Sequence, residues 1–217
     1  MMEKLQPTAS FAALITLLTL AQWDLMLKPR LDIKNQLLRC LKVPTSNSSD
    51  FDLNSDYPTV NEKLLREAAV LVAVQMLKNR PHIIFTKRTL ALKHHPGQVA
   101  FPGGKVDAED PDAIGAALRE AKEEIGLPSS RVEVLGCLAP HITITGFRIT
   151  PIIGLINGTV PFKPQKSEVE EIFMVPFSVI SEPRRRALLR LLSSAVPMSK
   201  WLLEGDWFEL SLLSRMA

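Results

Sequence analysis

The sequence alternates short apolar runs with polar turns, and this pattern predicts strands arranged around one amphipathic helix. The runs Ala69 to Leu77 and His82 to Thr86 flank a polar turn and predict a hairpin. Later runs predict further strands at Val99 to Phe101, Val132 to Leu138, Ile149 to Ile156 and Ile172 to Val175. Because no regular βαβ alternation links these segments, the pattern indicates an α/β fold built on a mixed β-sheet.

The amphipathic helix is predicted from about Pro111 to Ile125. Asp110 is interpreted as its N-cap, with proline at the first helical position, and Gly126 with Pro128 as its stop. One face carries regularly spaced apolar residues, namely Ile114, Ala117, Leu118, Ala121 and Ile125. This face is expected to pack against the sheet.

The segments outside this core have a different composition. Pro44 to Pro58 is rich in Ser, Asn, Asp and Pro, which is typical of a solvated linker. We therefore predict an N-terminal helical extension with its linker at 1–60, the main domain at 61–182 and a C-terminal helical tail at 183–217.

The segment Phe11 to Leu27 contains an apolar run, Phe11 to Ala21, that is shorter than the roughly 20 apolar residues needed to span a bilayer. Only Lys4 supplies positive charge ahead of it, so it also lacks the marks of a secretory signal. We expect a helix that docks on the domain, or an over-long start assignment. Other helical segments are predicted at Glu62 to Glu67, after Pro176 and from about Arg184 to Leu192.

Composition narrows the classes of partner. The 26 basic and 23 acidic residues leave a net charge of +3, which is too small and too evenly spread to indicate a nucleic-acid partner, and no segment indicates a membrane partner. Cys40 and Cys137 lack the spacing of a zinc site and are interpreted as thiols of a reducing compartment, which predicts a cytoplasmic protein. A homodimer is compatible with the pattern, which does not require one.

Three carboxylates are concentrated on the predicted helix, at Glu120, Glu123 and Glu124. Glu120 and Glu124 lie four residues apart and therefore share a face, where like charges weaken an isolated helix. A divalent cation between them would explain the pattern, because carboxylate oxygens are the ligands that Mg²⁺ and Mn²⁺ prefer. The alternative is a glutamate-rich face that is simply solvated.

The wider frame resembles the Nudix box, the signature of enzymes that hydrolyse a nucleoside diphosphate linked to another group. The matching residues are Gly103, Gly104, Asp110, Arg119, Glu120, Glu123, Glu124, Gly126 and Leu127. The resemblance implies an α/β/α sandwich with a mixed sheet and a catalytic helix after a glycine loop. It also implies a diphosphatase that uses Mg²⁺ or Mn²⁺ held by the three glutamates.

The same resemblance assigns roles around the glutamates. Arg119 would orient a glutamate through a charge-assisted contact. Gly103 and Gly104 would form a tight turn and let the backbone bend toward the helix. The sequence departs from the family pattern at Asp110, where glutamate is usual, and by one extra residue before Arg119. The extra residue leaves open whether Asp110 or its neighbour Glu109 pairs with the arginine.

A second motif lies upstream of the box. The segment Ile84 to Thr89 leads through Lys93 and Gly97 to Phe101-Pro102-Gly103-Gly104 and resembles the extended motif of the coenzyme A pyrophosphatase branch of the Nudix family. It implies a small-molecule substrate, CoA or an acyl-CoA, cleaved to 4′-phosphopantetheine and adenosine 3′,5′-bisphosphate. Arg88 and Lys93 would bind the substrate together with the two glycines, and His94 or His95 are further candidates for a phosphate contact.

Several alternatives stay open at this point. The substrate could be another nucleoside diphosphate derivative, such as ADP-ribose, a nucleotide sugar or a dinucleoside polyphosphate, or the domain could be a catalytically weak nucleotide-binding module. The cluster Glu168, Glu170 and Glu171 could supply a general base, but it is better interpreted as the polar start of a strand. Arg184 to Arg186 is interpreted as a solvated helix face.

Overall fold

The computed structural model of the chain describes residues 28–43, 48–49, 64–92, 96–143 and 145–181. The helices are α1 at 28–41, α2 at Ala113–Ile125 and α3 at Phe177–Ser181, and a 3₁₀ turn lies at Ser129–Arg131. The strands are β1 Ser48–Ser49, β2 Arg66–Leu77, β3 Arg80–Arg88, β4 Val99–Ala100, β5 Gly103–Lys105, β6 Val132–Cys137, β7 His141–Ile142, β8 Phe147–Ile156 and β9 Val169–Pro176. The segments predicted at Phe11 to Leu27 and Arg184 to Leu192 lie outside the described residues.

All the described strands belong to one mixed sheet. Its main path is β1-β7-β8-β2-β3-β4, with β5 paired to β2, β6 to β8 and β9 to β3. The pairs β1·β7 and β2·β8 are parallel and the others are antiparallel. This arrangement confirms the predicted α/β fold with a mixed sheet.

The predicted hairpin forms from β2 and β3, with Leu77 opposite Arg80. Its turn consists of Lys78 and Asn79, which both have positive φ, at 48° and 61°. Two consecutive residues of this kind match the right-handed twist of the strands that they join. The turn is therefore shorter than the sequence pattern predicted, and Arg80 and Pro81 already belong to β3.

The sheet buries both of its faces. Alternate residues of β2 point to opposite sides, so Val72 and Val74 belong to one core cluster and Leu71 and Ala73 to the other. Helix α1 packs on the first side and α2 on the second, which gives three layers. Because both faces of the sheet are buried, the sequence of β2 is an almost unbroken run of apolar residues.

Helix α1 is tied to the sheet by apolar and polar contacts. Ile33 and Leu37 are 4% and 2% exposed within the first core cluster. Arg30 Nη1 donates to the carbonyl oxygen of Ile156 at 2.6 Å, and Lys34 forms an ion pair with Glu133 of β6. The Lys34 contact, together with the charge of Arg30, lowers the pKa of the Glu133 carboxyl.

The division of the chain into 1–60, 61–182 and 183–217 stays a prediction.

Helix α2 begins two residues later than predicted, and its N-cap is Asp112 instead of Asp110. The Oδ1 atom of Asp112 accepts the backbone N–H of Gly115 at 2.8 Å. Asp110 was the wrong choice because its carboxylate is engaged by Arg119, a residue on the second turn of the helix. The predicted stop is confirmed, since Gly126 ends the helix with a φ of 70° and its N–H donates to the carbonyl of Lys122.

The helical turn predicted at Glu62 to Glu67 is wrong for its last two residues, although Leu64 is in a 3₁₀ conformation. Arg66 and Glu67 are the first two residues of β2 and run beside Phe147 and Arg148 of β8. Long-range pairing with β8 overrides the local helical preference of the segment. Within the described residues, none of the helices combines the length and apolar character that crossing a bilayer requires.

We predict that α1 is an integral part of the fold. Replacing Leu37, which is 2% exposed, by alanine should lower the free energy of unfolding by about 2–5 kcal/mol, because it leaves a cavity in the core. Leu31 on the same helix is 57% exposed, and its replacement by alanine is the matched control. Urea denaturation of both variants measures the difference, and equal effects would contradict this role for α1.

Candidate active site

The site lies where strand β5 passes beneath helix α2. In β5, Gly103 pairs with Val70 and Gly104 with Ala69 of the central strand β2. The alanines Ala116, Ala117 and Ala121 are fully buried in the face of α2 that meets the sheet. Small side chains on the helix and glycines on the strand let the two backbones come close.

The two glycines are required for space. A Cβ on Gly103 would lie 2.4 Å from the carbonyl oxygen of Ala69, and a Cβ on Gly104 would lie 2.4 Å from Oε1 of Glu120. Neither glycine is among the described residues with positive φ, and both belong to a strand. The predicted glycine turn is therefore wrong. Glycine is needed at these positions because neighbouring atoms leave no room for a side chain, and not because the backbone adopts an unusual conformation.

Glu124 is buried in this contact, with 4% exposure. Its Oε2 atom accepts the backbone N–H of Gly103 at 3.1 Å. Burial raises the pKa of the Glu124 carboxyl to about 7, and the negative charges of Glu120 and Glu168 add to the increase. The Gly103 N–H and the charge of Arg88 act in the opposite direction without cancelling it.

Glu120 lies one turn earlier on α2, over Gly104. Its side chain is 16% exposed, and burial raises the pKa of its carboxyl against the opposing contact with Arg119. Repulsion from Glu123 and Glu168 raises this pKa further. The Glu123 side chain is 58% exposed, so the three glutamates of the motif differ widely in their access to water.

Arg119 connects the helix to the loop before it. Its Nε and Nη2 atoms donate to the two carboxylate oxygens of Asp110, both at 2.9 Å, and its Nη1 atom contacts Glu120 at 3.0 Å and Glu123 at 3.2 Å. The two-point contact identifies Asp110, and not Glu109, as the partner of Arg119. The arginine lowers the pKa of the Asp110 carboxyl, whose side chain is only 6% exposed.

Two residues at the edge of the sheet, Arg88 and Glu168, add charge to the site. Arg88, at the end of β3, acts electrostatically on Glu124, and its buried Nε atom has no hydrogen-bond partner among the described residues. Glu168 precedes β9, and its carbonyl oxygen accepts the N–H of Thr89 at 2.9 Å. The negative charge of its carboxylate raises the pKa of both Glu120 and Glu124. In this respect it differs from Glu170 and Glu171 of the same cluster.

The structure thus brings together most of the site residues that the sequence pointed to. They are Arg88, Gly103, Gly104, Arg119, Glu120, Glu123 and Glu124. Lys93, His94 and His95 lie outside the described residues, so their predicted roles stay predictions. The role of Asp112 as helix cap was missed because Asp110 and Asp112 are both suitable N-cap residues, and only the contact of Asp110 with Arg119 distinguishes them.

The NUDIX domain model matches residues 65–193, which is more than half of the chain and includes every strand from β2 onward. The chain belongs to the Nudix family. An uncharacterized Nudix hydrolase, NudL, from Escherichia coli K12 is 43% identical over 123 residues, which cover 56% of this chain and 64% of that protein. The chain therefore spans less than two thirds of the length of this curated relative.

Solved structures provide a more distant comparison. A Nudix hydrolase from M. smegmatis, RenU, is 22% identical, with a TM-score of 0.46 over 61% of this chain and 88% of that one. A C. elegans Ap4A hydrolase in a binary complex is 16% identical, with a TM-score of 0.49 over 70% of this chain and 94% of that one. At this level of similarity neither structure bears on the substrate of this chain.

Nudix hydrolases generally use divalent metal ions, and the donor set of this site suits such an ion. The available donors are carboxylate oxygens, which are hard ligands. Their mutual repulsion and poor solvation are only partly offset by Arg119 and Arg88, and a cation would relieve both. Among the described residues, no three His, Cys, Asp or Glu side chains already surround a common metal position. One oxygen each of Glu120 and Glu123 is held by Arg119, which leaves their second oxygens for a cation.

We predict that the two glycines respond differently to substitution. Gly103→Ala places a Cβ against backbone atoms of Ala69 and Val70, so it should lower the free energy of unfolding by about 1–3 kcal/mol or more. Gly104→Ala meets only the end of the Glu120 side chain, which can rotate away, so its effect on stability should be smaller. Thermal unfolding of the two variants tests this, and a larger loss for Gly104→Ala would contradict the assignment.

We also predict a pH-dependent cost of the buried Glu124 carboxylate in metal-free protein. A folded-state pKa of about 7, against 4.5 for the free side chain, means that the stability contributed by the protonated group is complete below pH 4.5 and is lost as pH rises through 7. Glu124→Gln removes this loss, which is on the order of 3 kcal/mol at pH 8. Urea denaturation in EDTA at pH 5 and pH 8 should show the variant gaining on wild type only at the higher pH.

Proposed function

We propose that this chain hydrolyses the diphosphate linkage of coenzyme A or an acyl-CoA, with Mg²⁺ or Mn²⁺ as cofactor, to give 4′-phosphopantetheine and adenosine 3′,5′-bisphosphate. The observation that carries the proposal is the pair of poorly solvated carboxylates, buried Glu124 and partly buried Glu120, with a charged residue of the upstream motif, Arg88, acting electrostatically on Glu124. Membership of the Nudix family supports the reaction class, and the upstream motif supports the substrate.

The proposed metal ligands are Glu120, Glu123 and Glu124. Because Gly104 and Gly103 lack side chains, Glu120 and Glu124 can lie directly against the backbone of β5. When bound, the ion would neutralise charge on the diphosphate and lower the pKa of a water molecule. Arg119 keeps Glu120 and Glu123 oriented through its Nη1 atom, and Asp110 fixes the arginine. Arg119 thus acts as a positioning residue for the ligands.

Glu168 is the proposed general base that accepts a proton from the attacking water. The sequence pattern favours a structural role for Glu168, but the charge of its carboxylate raises the pKa of Glu120 and Glu124. The N–H of Thr89 holds its backbone at 2.9 Å beside the end of β3. A base on a segment separate from the metal ligands stays available for a proton while the ligands are engaged.

Arg88 is the proposed contact to a substrate phosphate. Among the residues that the structure describes, its buried Nε–H has no hydrogen-bond partner, and a desolvated donor of this kind is stabilised when an anion accepts from it. Lys93, five residues farther along the upstream motif, is the proposed second cation for the diphosphate. Both residues belong to the motif that distinguishes the CoA branch, so the choice of CoA as substrate rests on them.

We expect purified protein with Mg²⁺ or Mn²⁺ to convert CoA into phosphopantetheine and adenosine bisphosphate, measured by chromatography. Glu124→Gln should lower the rate by roughly 100-fold or more, because a lost metal ligand removes several kcal/mol of transition-state stabilisation. Glu109→Gln is the matched control, since Glu109 is an exposed carboxylate in the loop before α2 and is not the partner of Arg119.

ADP-ribose serves as the competing substrate in the same assay. Cleavage of ADP-ribose but not CoA would retain the reaction class and reject the substrate. Absence of metal-dependent cleavage of either compound would instead favour another Nudix substrate or a nucleotide-binding role.

A further inference from the structure

Strand β9 contains one residue more than its partner β3 at the edge of the site. From His82 opposite Pro176 to Lys87 opposite Glu171, the two strands pair residue by residue. The next pair is Arg88 with Val169, so Glu170 is left without a partner in β3. Such a β-bulge changes which side chains of a strand face each side of the sheet.

The two residues of β3 at this bulge point in opposite directions. Arg88 lies on the face of Ile84, which packs in the core cluster beneath α2, and Lys87 lies on the face of Phe85, in the other cluster. The Nζ atom of Lys87 lies 3.0 Å from Oε2 of Glu170. Glu170 is therefore on the side of Lys87, away from Arg88.

The backbone of the bulge has a second lysine contact. Lys166 Nζ donates to the carbonyl oxygen of Glu170 at 3.2 Å. A bulged residue lacks its ladder hydrogen bonds, so a side-chain donor of this kind stabilises the interruption. The side chains of Lys87 and Glu170 are 22% and 45% exposed, which makes their ion pair accessible to experiment without placing it in the core.

A regular ladder would have a different effect on the site. Without the extra residue, Arg88 would stand opposite Glu170, on the same face and with about 5 Å between their Cβ atoms. Arginine and glutamate at that separation form an ion pair. With the bulge, the apolar Val169 stands opposite Arg88, and the buried Nε of Arg88 has no hydrogen-bond partner within the described part of the chain.

We infer that Lys87, by holding Glu170 in the bulge on the opposite face, keeps Arg88 free of a carboxylate partner and open to a phosphate of the substrate. Lys87 is then a positioning residue that acts through Glu170 and does not touch the substrate. The inference rests on the proposed function, because it assumes that Arg88 binds phosphate. It adds a requirement for a cation on the far side of the sheet from the site.

The test measures binding of α,β-methylene-ADP, a diphosphate that resists hydrolysis, by calorimetry with Mg²⁺ present. Lys87→Gln should weaken binding about three- to tenfold, because Glu170 becomes available to compete for Arg88. Adding Glu170→Gln should restore binding to within about twofold of wild type, since no competing carboxylate is left. Adding Glu171→Gln, the matched control on the neighbouring residue, should not restore it.

Three further variants make the outcome decisive. Lys87→Arg keeps the ion pair and should bind like wild type, and so should Glu170→Gln alone, in which no carboxylate competes. Unchanged binding by Lys87→Gln, equal rescue by Glu171→Gln, or weaker binding by Glu170→Gln would each overturn the inference. Arg88→Gln identifies the failing step: if it binds normally, the proposed phosphate contact fails and the role of Lys87 fails with it.

Discussion

The buried carboxylate of Glu124 against the N–H of Gly103 is the contact on which the rest of the site depends. A carboxylate removed from water is costly, and here a backbone donor offsets only part of that cost. The arrangement requires helix α2 to lie directly on strand β5, which is possible because the helix presents alanines and the strand presents glycines. The carboxylates of the site are therefore poorly solvated, and they suit a divalent cation that also coordinates phosphate.

Arg119 is the second contact that shapes the site, because it links the loop before α2 to the carboxylates on the helix. Its guanidinium spans Asp110 in the loop and two glutamates on α2. The ion pair has a two-point geometry although the motif carries one extra residue between Asp110 and Arg119. Lysine could not replace Arg119, because a single ammonium cannot match both oxygens of a carboxylate in the same way.

The sheet supplies the remaining charges through its pairing. Arg88 and Glu168 are far apart in sequence, but the end of β3 pairs with the start of β9, and the N–H of Thr89, next to Arg88, donates to the carbonyl of Glu168. The bulge at this edge decides which charges face the site and which face away from it. Helix α1 contributes indirectly, because it covers the opposite face of the same strands and completes the core that keeps them in register.

The sequence by itself determined the elements whose signals are local. These include the hairpin, the central helix with its glycine stop, and the glutamates of α2, because apolar periodicity, capping chemistry and helical spacing act within a few residues. Only the tertiary structure decided the N-cap, the reason for the glycines and the position of Glu168. The Asp110 carboxylate binds Arg119. Glu120 leaves no room for a side chain at Gly104, and the charge of Glu168 acts on Glu120 from another part of the chain. Each depends on a partner from another element, and no local pattern encodes which partner prevails.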